Sequence, residues 1–413
     1  MKKIFITLAL IFFTNPIFAI EENASKISLE EAINLALKGN IELQEQRKNL
    51  GISEYSIKKA NALKNPQLQS NLLMGPIARG NSSQVGLMLP IEIAKRGARK
   101  KVALSEFEYT DNKIKDYEFK LKLRIRTAYF DLLVAKTELK ILEERKELLE
   151  ELLEITKQKN NEIDALQADM KLEKILVQIN RAKANIRTAQ YDFNKILNLE
   201  NNFLFYDTKE ETVFSAEFFT KLELPPYENL EQIALENRYD IKMAQNKITQ
   251  AKNTLSSVAR QRVPDLYLAG GYAFAHDGTS GAYVGAGIDI PSLYLYTPEI
   301  KSAKLELDKT QLEYNSIVNI TKNIIHTNQD KFIMAQENVE HYKKILDKSQ
   351  KILNLSKQQY KKDKSNLVNL IVVEHSHQEL LKEFLDTMKE YYNSYIALIQ
   401  ELGLDNLTID IDL

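Results

Sequence analysis

Between residues 113 and 199 the chain carries a hydrophobic pattern that admits few folds. Apolar or small residues fall at Leu121, Ile125, Ala128, Leu132, Ala135, Leu139 and Leu142, in steps that alternate four and three. Past a polar turn at 158–162 the alternation resumes at Ala165, Ala168, Leu172, Ile175, Ile179, Ala182, Ile186, Ala189, Phe193 and Ile196. This spacing is a heptad seam, and no Gly or Pro interrupts either arm. A helix from near Lys95 to near Lys159 would be roughly 100 Å long at the usual helical rise, so it needs a lateral partner along its whole length. The alanines let neighbouring helices approach closely, while each seam buries only a narrow stripe. A plain coiled-coil spacer satisfies this stretch as well as a larger assembly does.

Charge does not steer the choice. The 56 Lys and Arg against 57 Asp and Glu leave a formal net charge of -1, without the basic excess that nucleic-acid binding favours. Cysteine is absent, which excludes disulfides, thiolate metal sites, cysteine nucleophiles and an acylated lipid anchor. Residues 1–19 read as an export signal: Lys2 and Lys3, an apolar run over 4–13, then Pro16 and the small residue Ala19. Beyond it no run approaches the roughly 18 apolar residues of a spanning helix. An exported chain of this kind is expected to be periplasmic, secreted, or part of an outer membrane β-barrel.

Ser28 and Glu31 form a capping-box pattern, and a short and a longer helix are expected up to about Lys64. Pro66 then ends the helical pattern, and extended segments are expected at about 67–75 and 84–91. Leu68, Leu72 and Met74 share one face of the first, with Gln67, Gln69 and Asn71 opposite. Gly75, Pro76 and Gly80 mark a turn. Val85, Leu87 and Leu89 share a face of the second, which Pro90 is expected to interrupt. After the long hairpin, a connector at 200–227 ends in Pro225 and Pro226.

The whole pattern then recurs. "ALKGNIEL" at 36–43 answers "ALENRYDI" at 234–241, and Pro66 answers Pro264, both at an offset of 198 (264 − 66). "LNL" at 197–199 answers "LGL" at 402–404, and small insertions at turns account for the drift. The chain therefore reads as two copies of one unit, 20–199 and 228–404, with a tail at 405–413. Strands are expected in the second copy at about 265–274 and 282–290. Leu266, Leu268, Tyr272 and Phe274 share a face of one, and Ala282, Val284, Ala286, Ile288 and Ile290 a face of the other. Gly271, Gly285, Gly287 and Asp289 lie on the opposite faces. Each strand is near the length that crosses a bilayer at a tilt, and Tyr294 and Tyr296 follow where an interfacial belt would sit.

Four strands cannot close a membrane barrel, yet every backbone N–H and C=O in lipid must be paired. Strands that span therefore require oligomerisation. Two chains would supply eight strands and an interior filled by side chains; three would supply twelve and room for a channel. The long hairpins can then stand in a ring and extend the channel away from the membrane.

The duplicated unit, with "LPIEIAKRGARKKVA" at 89–103 and "IDALQAD" at 163–169, resembles the TolC-like outer membrane efflux proteins over nearly all of 28–404. The resemblance implies a mainly α fold with a small β part: long antiparallel helical hairpins forming an α-barrel, continuous with a 12-stranded transmembrane β-barrel completed by three chains. It implies a homotrimer surrounded by lipid in the outer membrane of a Gram-negative bacterium, with a large periplasmic part. It further implies a passive exit duct for small molecules or metal ions, working with a periplasmic adaptor protein and an inner membrane pump. The run Lys95, Arg96, Gly97, Arg99 is similar to the branch that serves heavy-metal exporters, and equally fits a basic stretch at a membrane interface. In such proteins tyrosine and acidic side chains close the periplasmic helix tips, which here implies a gate of Asp164, Tyr360 and Asp363. Asn369 and Val372 stand where further acids can occur, so the usual double acidic ring is not repeated. A type I protein secretion conduit and an exported coiled-coil structural protein remain as alternative readings.

Chemistry of other kinds finds no residues. Of the five histidines, His276, His326, His341, His375 and His377, the pair 375 and 377 points about 200° apart on a helix, unlike an i, i+4 zinc pair. Neither a phosphate-binding glycine loop nor a nucleophile elbow occurs. No enzyme activity, cofactor, metal site or nucleic-acid partner is expected.

Overall fold

The computed structural model describes residues 24–72, 82–158, 162–199, 205–215, 219, 221–275, 278–362 and 367–407. The export signal at 1–19, Met74 and the turn residues Gly75, Pro76 and Gly80, the centre of the helical turn at 158–162, His276, Asp363 and the end of the tail lie outside the described residues. In chain order the first elements are β1 (Ser25–Ile27), α1 (Leu29–Gly39), α2 (Ile41–Ala60), β2 (Gln67–Asn71), β3 (Ser82–Ile91), α3 (Lys95–Gln158) and α4 (Glu162–Leu197). They are followed by β4 (Tyr206–Thr208), α5 (Tyr227–Asn237), α6 (Tyr239–Ala259), β5 (Leu266–Ala275), β6 (Ser280–Ile288), α7 (Thr297–Lys361) and α8 (Leu367–Leu402). The fold is mainly α with a small β part, and it divides into two compact units: Met1–Asn40 with Ala128–Phe218, and Ile41–Thr127 with Phe219–Leu413.

In the first unit the Ser28–Glu31 capping box is formed at the start of α1, and β1 pairs in parallel with β4. Tyr129 of α3 ties this corner together. Its hydroxyl donates to the Glu210 carboxylate and lies 3.0 Å from the Ile27 carbonyl, while its ring meets Phe193 of α4 edge-on, with centroids 5.8 Å apart. The seam read from the sequence is buried at Ala168, Ile175, Ile179, Ala182 and Phe193, then shifts from Ile196 to Leu197. A straight helix of 3.6 residues per turn drifts against a seven-residue repeat, and the shift is that drift.

The second unit holds α7, 65 residues long and so roughly 98 Å, beside α8. They run antiparallel: contacts between Phe332 and Tyr391, Tyr342 and Glu383, and Ser349 and His377 descend α8 as they climb α7. The sheet has the order β2-β3-β5-β6 and is antiparallel throughout. Pro90 does not interrupt β3, which runs on to Ile91 with Pro90 opposite Tyr267. The partner strand β2 already ends at Gln67, opposite Met88, so Pro90 has a neighbour on one side only and its missing N–H is tolerated.

Each unit closes its α-helical corner in the same way. Asn40, just past α1, donates to the carbonyls of Ile196 and Leu197 at 3.2 and 3.1 Å, and α4 ends with Asn198 at φ 43. Arg238, just past α5, donates to the Glu401 carbonyl at 3.2 Å, and α8 ends with Gly403 at φ 68. Left-handed residues at these positions terminate a helix. Burial opposes the Arg238 charge, but the carboxylates of Asp240 and Glu401 outweigh it and raise its pKa above the ordinary value.

Candidate functional site

The sheet is two-faced. Directly paired residues of an antiparallel ladder share a face, and the register places Leu68, Val85, Leu87 and Leu89 with Leu268, Tyr272, Phe274, Val284 and Ile288. All nine are exposed, Val284 at 92%. Gln67, Gln69, Asn71 and Gln84, with Gly86, Gly271, Gly285 and Gly287, lie on the other face together with Met88, Tyr267 and Tyr283. Strict alternation in the sequence produces this, because successive strand residues point to opposite sides. Among the described residues β2 and β6 each have a strand on one side only, so two edges carry free backbone donors and acceptors. None of the described helices is long and apolar enough to cross a membrane.

Where the strands meet the helices, the basic run of the sequence is engaged. Arg99 pairs with Glu92 at 2.6 Å, Lys95 with Asp265 at 3.1 Å, and Lys64 bridges both carboxylates at 3.3 and 3.4 Å. Burial opposes the charge on Glu92, yet Arg99 and Lys64 hold its pKa below the usual carboxylate value. Arg96 donates to the Asn61 side chain at 3.4 Å. Lys95 and Arg99 thus lock the start of α3 onto the sheet. The sequence reading missed their partners Glu92 and Asp265, whose sole signal is their place beside a strand end.

Asp164 stands half-buried in the first turn of α4, within the first unit. Tyr360 stands in the last turn of α7, within the second unit, and is 3% exposed. Asp363 lies outside the described residues. Beside Asp164, the side chains of Ile163, Leu166 and Met170 are exposed; in the second unit Ile352 and Leu355 of α7 and Val368 and Val372 of α8 are exposed as well. The sequence reading passed over these stripes because they fall between the seam positions.

His377 is buried, and its Nδ1 lies 2.9 Å from the Ser349 hydroxyl across the α7–α8 pair. Burial, with Lys357 adding to it, pushes its pKa below the ordinary value. Among the described residues no three His, Asp or Glu side chains converge to hold a metal ion.

No protein-family model and no curated protein sequence matches this chain; the likeness lies in the backbone. The structure of CusC, described for conformational changes that accompany folding and transmembrane channel formation, superposes with a TM-score of 0.74 at 15% identity, covering 94% of this chain and 96% of that one. The Campylobacter jejuni CmeC outer membrane channel superposes at 0.72 with 18% identity, over 97% and 94% of the two chains. The open state of the Neisseria gonorrhoeae MtrE outer membrane channel gives 0.74 at 17% identity, over 91% and 89%. At such identities the agreement is one of architecture, and it extends over nearly the whole of each chain. This chain has the fold of the TolC-like outer membrane efflux channels.

Proposed function

We propose that the chain is a passive exit duct of a Gram-negative outer membrane. Three copies, each supplying four strands, close a 12-stranded barrel that continues into a tunnel of their long helices. The duct carries small molecules or metal ions from periplasm to exterior, with a periplasmic adaptor protein and an inner membrane pump as partners. It performs no catalysis of its own. The two copies of the repeat, 20–199 and 228–404, each contribute one strand hairpin and one long helical hairpin to the wall.

The observation that carries this reading is the sheet: an uncovered apolar face, a small and polar face, and two unpaired edges. Lipid solvates the first, the lumen the second, and sibling chains pair the third. A soluble coiled-coil rod gives no account of such a face. Agreement of the fold with proteins described as outer membrane channels supports the same location.

Membrane fractionation followed by native mass measurement tests the assembly. A membrane-bound species of three protomers is expected; a monodisperse single copy in detergent-free buffer sinks the proposal. Asp164, Tyr360 and Asp363 form the constriction at the helix tips on this reading. Replacing Asp164→Ala together with Tyr360→Ala is expected to raise single-channel conductance in planar bilayers, and unchanged conductance removes both from the gate.

A further inference from the structure

At the end of the sheet where β2 and β5 begin and β3 and β6 finish, four chain connections are knit into one collar. Arg99 Nε donates to the Ala60 carbonyl at 3.3 Å, Arg260 to the Ala94 carbonyl at 3.2 Å, Arg262 Nε to the Leu295 carbonyl at 2.6 Å, and the Asp289 N–H to the Asp265 carbonyl at 3.1 Å. Segments 58–66, 92–101, 260–265 and 289–304 together hold twelve Lys and Arg against four Asp and Glu, in a chain whose whole net charge is -1. The stretches of sequence between β2 and β3 and between β5 and β6, 72–81 and 276–279, hold one Arg and one Asp. Positive charge is concentrated at the helix end of the sheet.

Two of the four acids, Glu92 and Asp265, are already taken by Lys64, Lys95 and Arg99. Arg96, Arg260 and Arg262 are held differently, by neutral oxygens: the Asn61 amide, the Ala94 carbonyl, and the Leu295 carbonyl with the Thr297 hydroxyl. Such partners position a guanidinium without cancelling its charge, and they leave further N–H donors of each fork for another acceptor. Against the same collar lie exposed apolar side chains, Ile93, Ile290 and Leu295, a fully exposed Leu293, and the exposed ring of Tyr294. Uncompensated cations beside uncovered aliphatic and tyrosine side chains match the layered chemistry of a bilayer surface, where phosphates lie just above acyl chains.

We propose that this collar binds the headgroups of anionic phospholipids in the leaflet nearest the helices, through Arg96, Arg260 and Arg262. The inference rests on the outer membrane reading, which places the apolar sheet face in the hydrocarbon layer and so brings the collar to headgroup level. It adds a lipid preference that the duct function does not require.

The test uses the full chain reconstituted into vesicles of phosphatidylcholine alone and of phosphatidylcholine mixed with phosphatidylglycerol, with retained lipid quantified after extraction and insertion scored separately by heat-modifiable migration. Phosphatidylglycerol is expected to be enriched in the retained lipid, and the enrichment to fall as salt rises. Arg96→Gln with Arg260→Gln and Arg262→Gln is expected to lower it about tenfold or more. Lys100→Gln with Lys101→Gln, at two exposed positions, is expected to lower it by about threefold to tenfold even if the triple variant fails to fold. Equal retention of the two lipids by the unaltered chain, or enrichment unchanged in the variants, overturns the proposal while leaving the duct intact. Failure to insert into either vesicle overturns the duct and this proposal together.

Discussion

Gly86 and Gly271 face each other across the β3–β5 ladder, and Tyr283 lies across both. A Cβ at Gly271 would stand 2.5 Å from the Gly86 Cα and 2.9 Å from the Tyr283 ring, whereas a Cβ at Gly285 on the same face meets nothing within 4 Å. Backbone cannot yield as a flexible side chain does, so Gly271→Ala is expected to cost about 2 kcal/mol or more and to lower the yield of heat-modifiable, membrane-inserted protein severalfold. Gly285→Ala is expected to leave that yield unchanged; equal loss in both variants would show that close packing is not the cause. The alternation of the sequence placed Gly271 and Gly285 each opposite the apolar face of its own strand. It could not separate them, because the difference comes from a tyrosine on a neighbouring strand. The same holds for Lys95 and Arg99, legible as a basic run but not as partners of Asp265 and Glu92.

The α7–α8 pair buries a polar cluster. His377, with Glu374 one turn before it and also buried, meets Ser349 on the facing helix. Because burial depresses the His377 pKa, the folded state binds fewer protons than the unfolded state just below the ordinary histidine value of 6.5. The contribution to stability is therefore complete above that value and is lost as pH falls through the folded-state pKa. Thermal unfolding followed by circular dichroism is expected to show the destabilisation on acidification shrink in His377→Gln. An identical acid slope in that variant would place the titration elsewhere. The sequence shows only that His377 and His375 point to different sides of the helix. The partner of His377 was illegible, since α7 and α8 register depends on contacts along both helices.

For the molecule as a whole, the proposed duct requires the apolar face of the sheet to lie against lipid. Val284 is nearly fully exposed in the middle of β6, and a cation at the mid-depth of a membrane barrel costs roughly 2–4 kcal/mol. Val284→Arg is expected to reduce the membrane-integrated fraction in carbonate extraction, while Gly285→Ser, on the opposite face, is expected to integrate normally. If Val284→Arg integrates as well as the unaltered chain, the lipid-facing assignment fails.

Local periodicity already specified the long helices, the end of the shorter helices before Pro66 and Pro264, and the four segments that alternate apolar with small or polar residues, because periods near 3.6 and 2 are written into neighbouring positions. The doubling of the pattern was equally plain, down to the shared helix end at Asn198 and Gly403. Pairing of β3 with β5 was not, nor was the continuation of β3 through Pro90 or the knitting of the basic collar. Each joins residues from distant parts of the chain, and their meeting depends on register set by the folded backbone, on which spacing along the sequence is silent.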